Sequence, residues 1–195
     1  MLANRSSGRP LKGEFADDGQ ADIDLVEGDD AVAALMRQRR RTVDLFEEFG
    51  EESGLLTYGP GKWTIQQVLG HLADGERVYA YRALCIARGD TRPLPGFDDK
   101  AYAQMGSFDS RPMRELLADY EAVRNASVTL FLGLDSEAWQ RRGVANGYDV
   151  TPRGLAFHIA GHELHHHRIV RERYLPLLGA RPAKPARRSR NAGSK

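Results

Sequence analysis

The sequence predicts an all-α fold, a four-helix bundle with a long crossover between its second and third helices. Three observations predict it. Apolar residues recur at threes and fours over four separate segments, the period of an amphipathic helix. No run of alternating β-branched residues is bounded by turn dipeptides, so strand signals are nearly absent. Some twenty residues (GDTRPLPGFDDKAYAQMGSF) part the second and third segments, too many for a tight hairpin and enough to run a bundle from end to end.

The first helix is expected from about Asp30 to Gly50, on a stripe of Val32, Leu35, Met36, Val43, Phe46 and Phe49. The second opens at Thr64, which with Gln67 makes a Thr-x-x-Gln capping box, and carries Ile65, Leu69, Leu72, Tyr79, Ala83 and Ala87 to a stop at Gly89. The crossover leaves room for a short helical turn around Asp98 to Met105. The third helix begins near Ser110 with Pro112 in its first turn and presents Leu116, Tyr120, Val123, Leu130, Phe131 and Leu134. The fourth takes Thr151 as N-cap and Pro152 as its first helical residue, runs to about Tyr174, and meets Pro176 shortly after.

A chain of 195 residues suits one domain with a real core. Residues 1–28, rich in Gly, Asp and Ser, read as a flexible N-terminal arm, 29–178 as the bundle domain, and 179–195 as a basic flexible tail. The tail carries six Lys or Arg and no acid from residue 180 on, so a net charge of +1 overall hides a body at −5. Clustered basic residues meet phosphates without sequence specificity, but a solvated tail explains this run as well, and nucleic acid is not an expected partner. The lone Cys85 excludes an internal disulfide and fits a reducing, cytoplasmic setting. No apolar leader and no uncharged run of about 18 residues is present, so no membrane partner is expected.

Five of the six histidines lie in HIAGHELHHH, residues 158 to 167. At about 100° per residue, with Leu155 as zero, His162 falls near 340° and His166 near 20°, in the middle of the apolar stripe. His158 lies at its margin, and His165 and His167 lie off it. Two imidazoles at i and i+4 stand one above the other and can reach one ion. The alternative is that both rings hydrogen-bond polar groups inside the bundle, since each carries a donor and an acceptor that need partners. The remaining histidine, His71, falls on a flank of the second helix that a bundle can bring against that stripe, and three imidazoles would leave a metal site open to water or substrate.

Glu76 sits in the middle of the second helix's apolar stripe and needs a partner there: a ligand histidine, water at a metal, or an arginine from another helix. Arg82 shares the side of His71 and could meet an anionic substrate or form a salt bridge. Cys85 reads as a packed core thiol, and Trp63 as a hydrophobic lid on the bundle end.

GKWTIQQVLGHLADGERVYAYRALCIARGDTRPLPGF together with LAFHIAGHELHHHRIVRERYL resembles the DinB-like (DinB/YfiT) superfamily of bacterial metal-binding four-helix bundles, over roughly residues 30 to 178. The most specific parts are Gly-His-Leu-x-Asp and Gly-His-Glu-Leu-His-His. The resemblance implies metal ligation by His71, His162 and His166, and Glu76 and Arg82 match its Glu-Arg-x-x-x-x-Arg pattern as catalytic candidates. It implies one divalent metal ion, zinc or nickel, a homodimer, and a small-molecule substrate handled by a hydrolase or by a transferase using a low-molecular-weight thiol. The alternative is a non-enzymatic, metal-binding stress-response protein whose ion is structural or gates partner binding. Imidazole suits zinc, nickel, copper and iron alike, so ligand type alone leaves the metal open.

Overall fold

The computed structural model describes residues 8–179. In chain order the helices are α1 (Gln20–Asp24), α2 (Ala31–Glu47), α3 (Ile65–Ala87), α4 (Asp99–Met105), α5 (Met113–Leu132), α6 (Ser136–Gln140), α7 (Pro152–Ile169) and α8 (Leu175–Gly179). A two-stranded hairpin, β1 (Gly143–Ala145) and β2 (Tyr148–Val150), precedes α7.

The four long helices α2, α3, α5 and α7 are the bundle. Each of α2 and α3 packs against both α5 and α7, so α2 faces α3 across one diagonal and α5 faces α7 across the other. Cross-links along α3 and α5 run in the same direction, Thr64 to Asp109 near the start and Glu76 to Arg124 farther on. The two helices are therefore parallel, and the crossover with α4 carries the chain back from one end of the bundle to the other. Antiparallel α7 lies along α3, bringing His71 opposite His162 and Tyr79 opposite His158.

Local chemistry sets the helix starts. Asp30, Asp98, Asp135 and Thr151 each accept a bond from the backbone N–H three residues on, and Thr64 and Gln67 form the reciprocal capping box, satisfying N–H groups that the first turn leaves orphaned. Most of the expected stripes are buried, with Leu35, Phe46, Ile65, Leu69, Tyr120 and Phe131 at 1 % exposure or less. Met36 departs from this and is 57 % exposed. Pro112 precedes α5 as its N-cap residue, because Phe108–Ser110 is spent in a separate 3-10 turn. Beyond Ile169 the chain widens into a π-helical turn, Val170–Tyr174, and resumes as α8. Pro176 closely follows this wider turn and has no N–H with which to continue the ladder.

Two expectations give way. Residues 8–28, expected as part of a mobile arm, are seated on α7 in the structure: Phe15, Ile23 and Val26 are buried, and Arg153 binds the carboxylate of Glu14 through its Nε and Nη2, at 2.9 and 2.6 Å. Polar composition concealed three apolar anchors. It also concealed the glycines that receive them, for a Cβ at Gly154 would stand 1.9 Å from the Glu14 carbonyl oxygen and one at Gly161 2.3 Å from that of Asp22. The hairpin is the second. Asn146 and Gly147 both adopt positive φ, 54° and 81°, as a two-residue type I′ turn needs, but strands of three residues are too short to show alternation. Residues 1–7 and the basic tail from 180 onward lie outside the described residues.

Candidate metal centre

The capping box fixes the start of α3, and two turns later His71 emerges toward α7. His162 and His166 come up from α7 on the same face. The Nε2 of His162 stands 2.9 Å from that of His71 and 3.1 Å from that of His166, and the ligand atoms of all three lie within 4.8 Å of one another. Nitrogens bound to one ion at about 2.0–2.1 Å stand about 3 Å apart when their bonds are near right angles, so the spacings from His162 to His71 and to His166 fit one cation.

The protonation states fit as well. Burial pulls His71 down to about 4 and His166 to about 3. His162 is held well below its ordinary range by burial and then by the neighbouring His166 and His71. The three rings are neutral at pH 7. A neutral imidazole has one N–H, so a proton on His162 Nε2 can satisfy only one of its two close nitrogen neighbours, whereas a cation satisfies all three lone pairs. Among the described residues His166 Nδ1 is buried without a hydrogen-bond partner.

Trp63 closes one side. Its ring centroid is 4.7 Å from that of His71 and 6.3 Å from that of His166, nearly parallel to the latter. The tryptophan is more than a lid on the bundle end: with Tyr58, Lys62, Lys100, Gln104 and His166 it lines a cavity of about 380 Å³ that touches the cluster at His166. The sequence signal for this was its place one residue before the N-cap of the helix that bears His71.

The structure does not bring Glu76 into the histidine cluster. Of the partners open to it in the sequence, Glu76 takes the arginine. Both oxygens accept from Arg124 of α5, at 2.8 to 3.0 Å, and the pair is 1 % and 2 % exposed. Arg124 also binds Glu163 of α7, which accepts from Tyr120 and Thr42, while Thr42 meets His167 Nε2 at 2.8 Å. This buried network separates two apolar cores. Sequence reasoning missed Arg124 and Glu163, although the arithmetic that singled out Glu76 would have found them: Arg124 follows Tyr120 by four residues, and Glu163 falls at about 80°, beside Val170.

Arg82 does not reach the cluster either. It is 6 % exposed, donates to the Pro95 carbonyl at 2.6 Å, and lies 5.5 and 5.7 Å from the ring centres of Tyr79 and Phe97. Tyr79 and His158 stand between it and His162 along the α3–α7 groove. Cys85 is a half-buried free thiol beside the core, and His165 pairs with Asp22 at 3.2 Å.

Comparison with known proteins gives a match to the family model of the DinB superfamily over residues 34–170. No protein of curated function matches. Among solved structures the chain is similar to YfiT from Bacillus subtilis, described as a probable metal-dependent hydrolase with an unusual four-helix bundle topology. The TM-score is 0.65 at 17% identity, covering 88% of this chain and 93% of that one, and at that identity the likeness is one of fold.

Proposed function

The chain belongs to the DinB superfamily, and on that premise we propose that it is a metal-dependent hydrolase of a small-molecule substrate, with a divalent ion held by His71, His162 and His166. One observation carries the reading: three neutral imidazoles bring their Nε2 atoms together, and one of them, His166, lines a cavity of about 380 Å³. The described structural neighbour, a probable metal-dependent hydrolase, supports it.

Bound there by neutral ligands, the ion would keep its full charge and act as a Lewis acid that polarises an electrophile and lowers the pKa of water. The rest falls to the chain. His71, His162 and His166 need lose no proton to bind it at pH 7. Trp63 and Tyr58 give the cavity an apolar wall for a substrate's body, and Lys62 and Lys100 at its mouth favour a substrate with negative charge. Glu76 enters as a brace across the bundle, its carboxylate engaged by Arg124, and not as the proton acceptor.

Zinc and nickel are the ions proposed. The same open site would ionise a low-molecular-weight thiol for S-transfer, a homodimer is the assembly the family resemblance implies, and a reducing cytoplasm is the setting that a single cysteine favours. Among the described residues no helix is long and apolar enough to cross a membrane. The test is elemental analysis of untagged protein purified without chelator, with ester, amide and phosphoester hydrolysis and thiol transfer assayed beside it. About one equivalent of metal and a hydrolytic activity, both lost in His162→Ala, is the expected result. Activity untouched in His162→Ala would overturn the hydrolase, and thiol transfer without hydrolysis would replace it.

A further inference from the structure

Arg82 is a buried cation. The guanidinium is 6 % exposed, yet among the described residues no carboxylate lies within salt-bridge reach of it, and its protein hydrogen bond is to one neutral carbonyl, that of Pro95. Burying a charge without a paired opposite charge is costly. The aromatic faces of Tyr79 and Phe97 offset part of that cost, but they leave most of the donor fork unused. The other arginine buried as deeply among the described residues, Arg124, is answered by two carboxylates.

Arg82 borders a cavity. The first turn of α7, the N-terminal segment and the β1–β2 hairpin close over α3 to leave about 140 Å³ lined by Arg82, Tyr79, His158, Phe15, Asn146 and Tyr148, among others. That is room for roughly four to five waters at ~30 Å³ each. The exposed Asp18 also lines this space, and its charge disfavours a bulky polyanion. Arg82 borders this space and the metal ligands do not, because Tyr79 and His158 intervene.

We propose that Arg82 anchors a second ligand site, separate from the metal centre, for the oxyanion end of a small molecule, either a carboxylate or a phosphate. The planar guanidinium fork grips two oxygens of such a group side by side. Tyr79 and Tyr148 flank the stem, and the N-terminal segment forms the outer wall, so the site exists only when that segment is seated on α7.

The site is tested on metal-free, full-length protein by calorimetric titration and thermal shift with two probes, propionate and inorganic phosphate, against sodium chloride at equal ionic strength. Saturable binding of one or both is expected in the parent and, unchanged, in His162→Ala. Arg82→Met is expected to weaken it at least tenfold, and Arg82→Lys, which keeps the charge but not the fork, several-fold. The two probes tell a carboxylate ligand from a phosphate one. If Arg82→Met does not fold, Arg82→Lys carries the reading alone. Binding equal in the parent and both arginine variants, or no binding of either probe above chloride, would overturn the site and leave Arg82 as a bracket for the Pro95 loop. Loss of binding in His162→Ala would overturn its separation from the metal centre.

Discussion

Arg124 on α5 binds Glu163, the residue that follows His162 on α7, and the same guanidinium holds Glu76 on α3. Helices α3 and α7 carry all three candidate ligands. The separation of the ligand-bearing helices is therefore set from a third helix, by one cation placed between two carboxylates in the middle of the bundle. His71 precedes Glu76 by five residues, so the brace and the cluster share about a turn and a half of α3.

Removing the cation should cost far more than a surface substitution. Arg124→Met strands two buried carboxylates, and breaking a buried pair from one side typically costs about 3–5 kcal/mol. Urea unfolding is expected to show that loss. A variant that also makes Glu76 and Glu163 apolar should recover most of it, since well-packed apolar groups often replace a buried ion pair at little cost. Equal stability of Arg124→Met and the parent would mean that the guanidinium braces nothing.

Gly161 should resist replacement although it lies inside a helix. Alanine there gains about 1 kcal/mol of helix propensity, but its Cβ would stand 2.3 Å from the Asp22 carbonyl oxygen, a backbone atom with nowhere to go. The segment must lift, exposing Ile23 and Val26, each now 2 % exposed and each worth about 1.5–3 kcal/mol when buried. The clash wins. Gly161→Ala should speed proteolytic cleavage within residues 8–28 while circular dichroism of the bundle changes little, and an unchanged cleavage rate would show that the contact does not seat the segment.

The same segment should release in acid. Burial alone would raise the Glu14 carboxyl, but the Arg153 hydrogen bonds, the Leu11 N–H and the charges of Arg153 and Arg142 outweigh it and hold the group below 4.5. A carboxyl depressed in the folded state contributes stability that is complete above its unfolded value and disappears as pH falls through its folded one. The protection of residues 14–26 against hydrogen exchange, corrected for the intrinsic rate at each pH, should therefore hold steady above pH 4.5 and fall below it. Glu14→Gln should be weaker throughout and lack the acid transition.

How far the sequence disclosed all this depends on what kind of pattern each feature leaves. Long amphipathic helices write a period, so the bundle, its caps and the crossover were legible, and facing arithmetic placed His162 and His166 together on a buried stripe. His71 was harder, because a flank meets a neighbouring stripe only once the packing is known. Glu76 showed the limit of the method: its burial was legible and its partner was not, since Arg124 lies 48 residues away on another helix. The N-terminal segment left no period, and the Asn146-Gly147 turn was a signal present in the sequence but attached to strands too short to support it.

Chelation separates a metal held by the three histidines from one held by the other histidines of the same run. The cluster rings are neutral at pH 7, with His71 near 4 and His166 near 3, so a cation displaces no proton from them and its binding adds directly to the stability of the fold. An ion present at about 100 times its dissociation constant contributes about 2.7 kcal/mol. In a chain of this size that corresponds to roughly 5–10 °C in Tm. A chelator should lower the Tm of the parent by that amount and leave His162→Ala unmoved, because that variant lacks the imidazole whose Nε2 lies nearest to both others. His165→Ala, whose ring pairs with Asp22, should respond as the parent does. A shift of equal size in His162→Ala and the parent would place the ion elsewhere in the chain and remove the cluster as the seat of the chemistry.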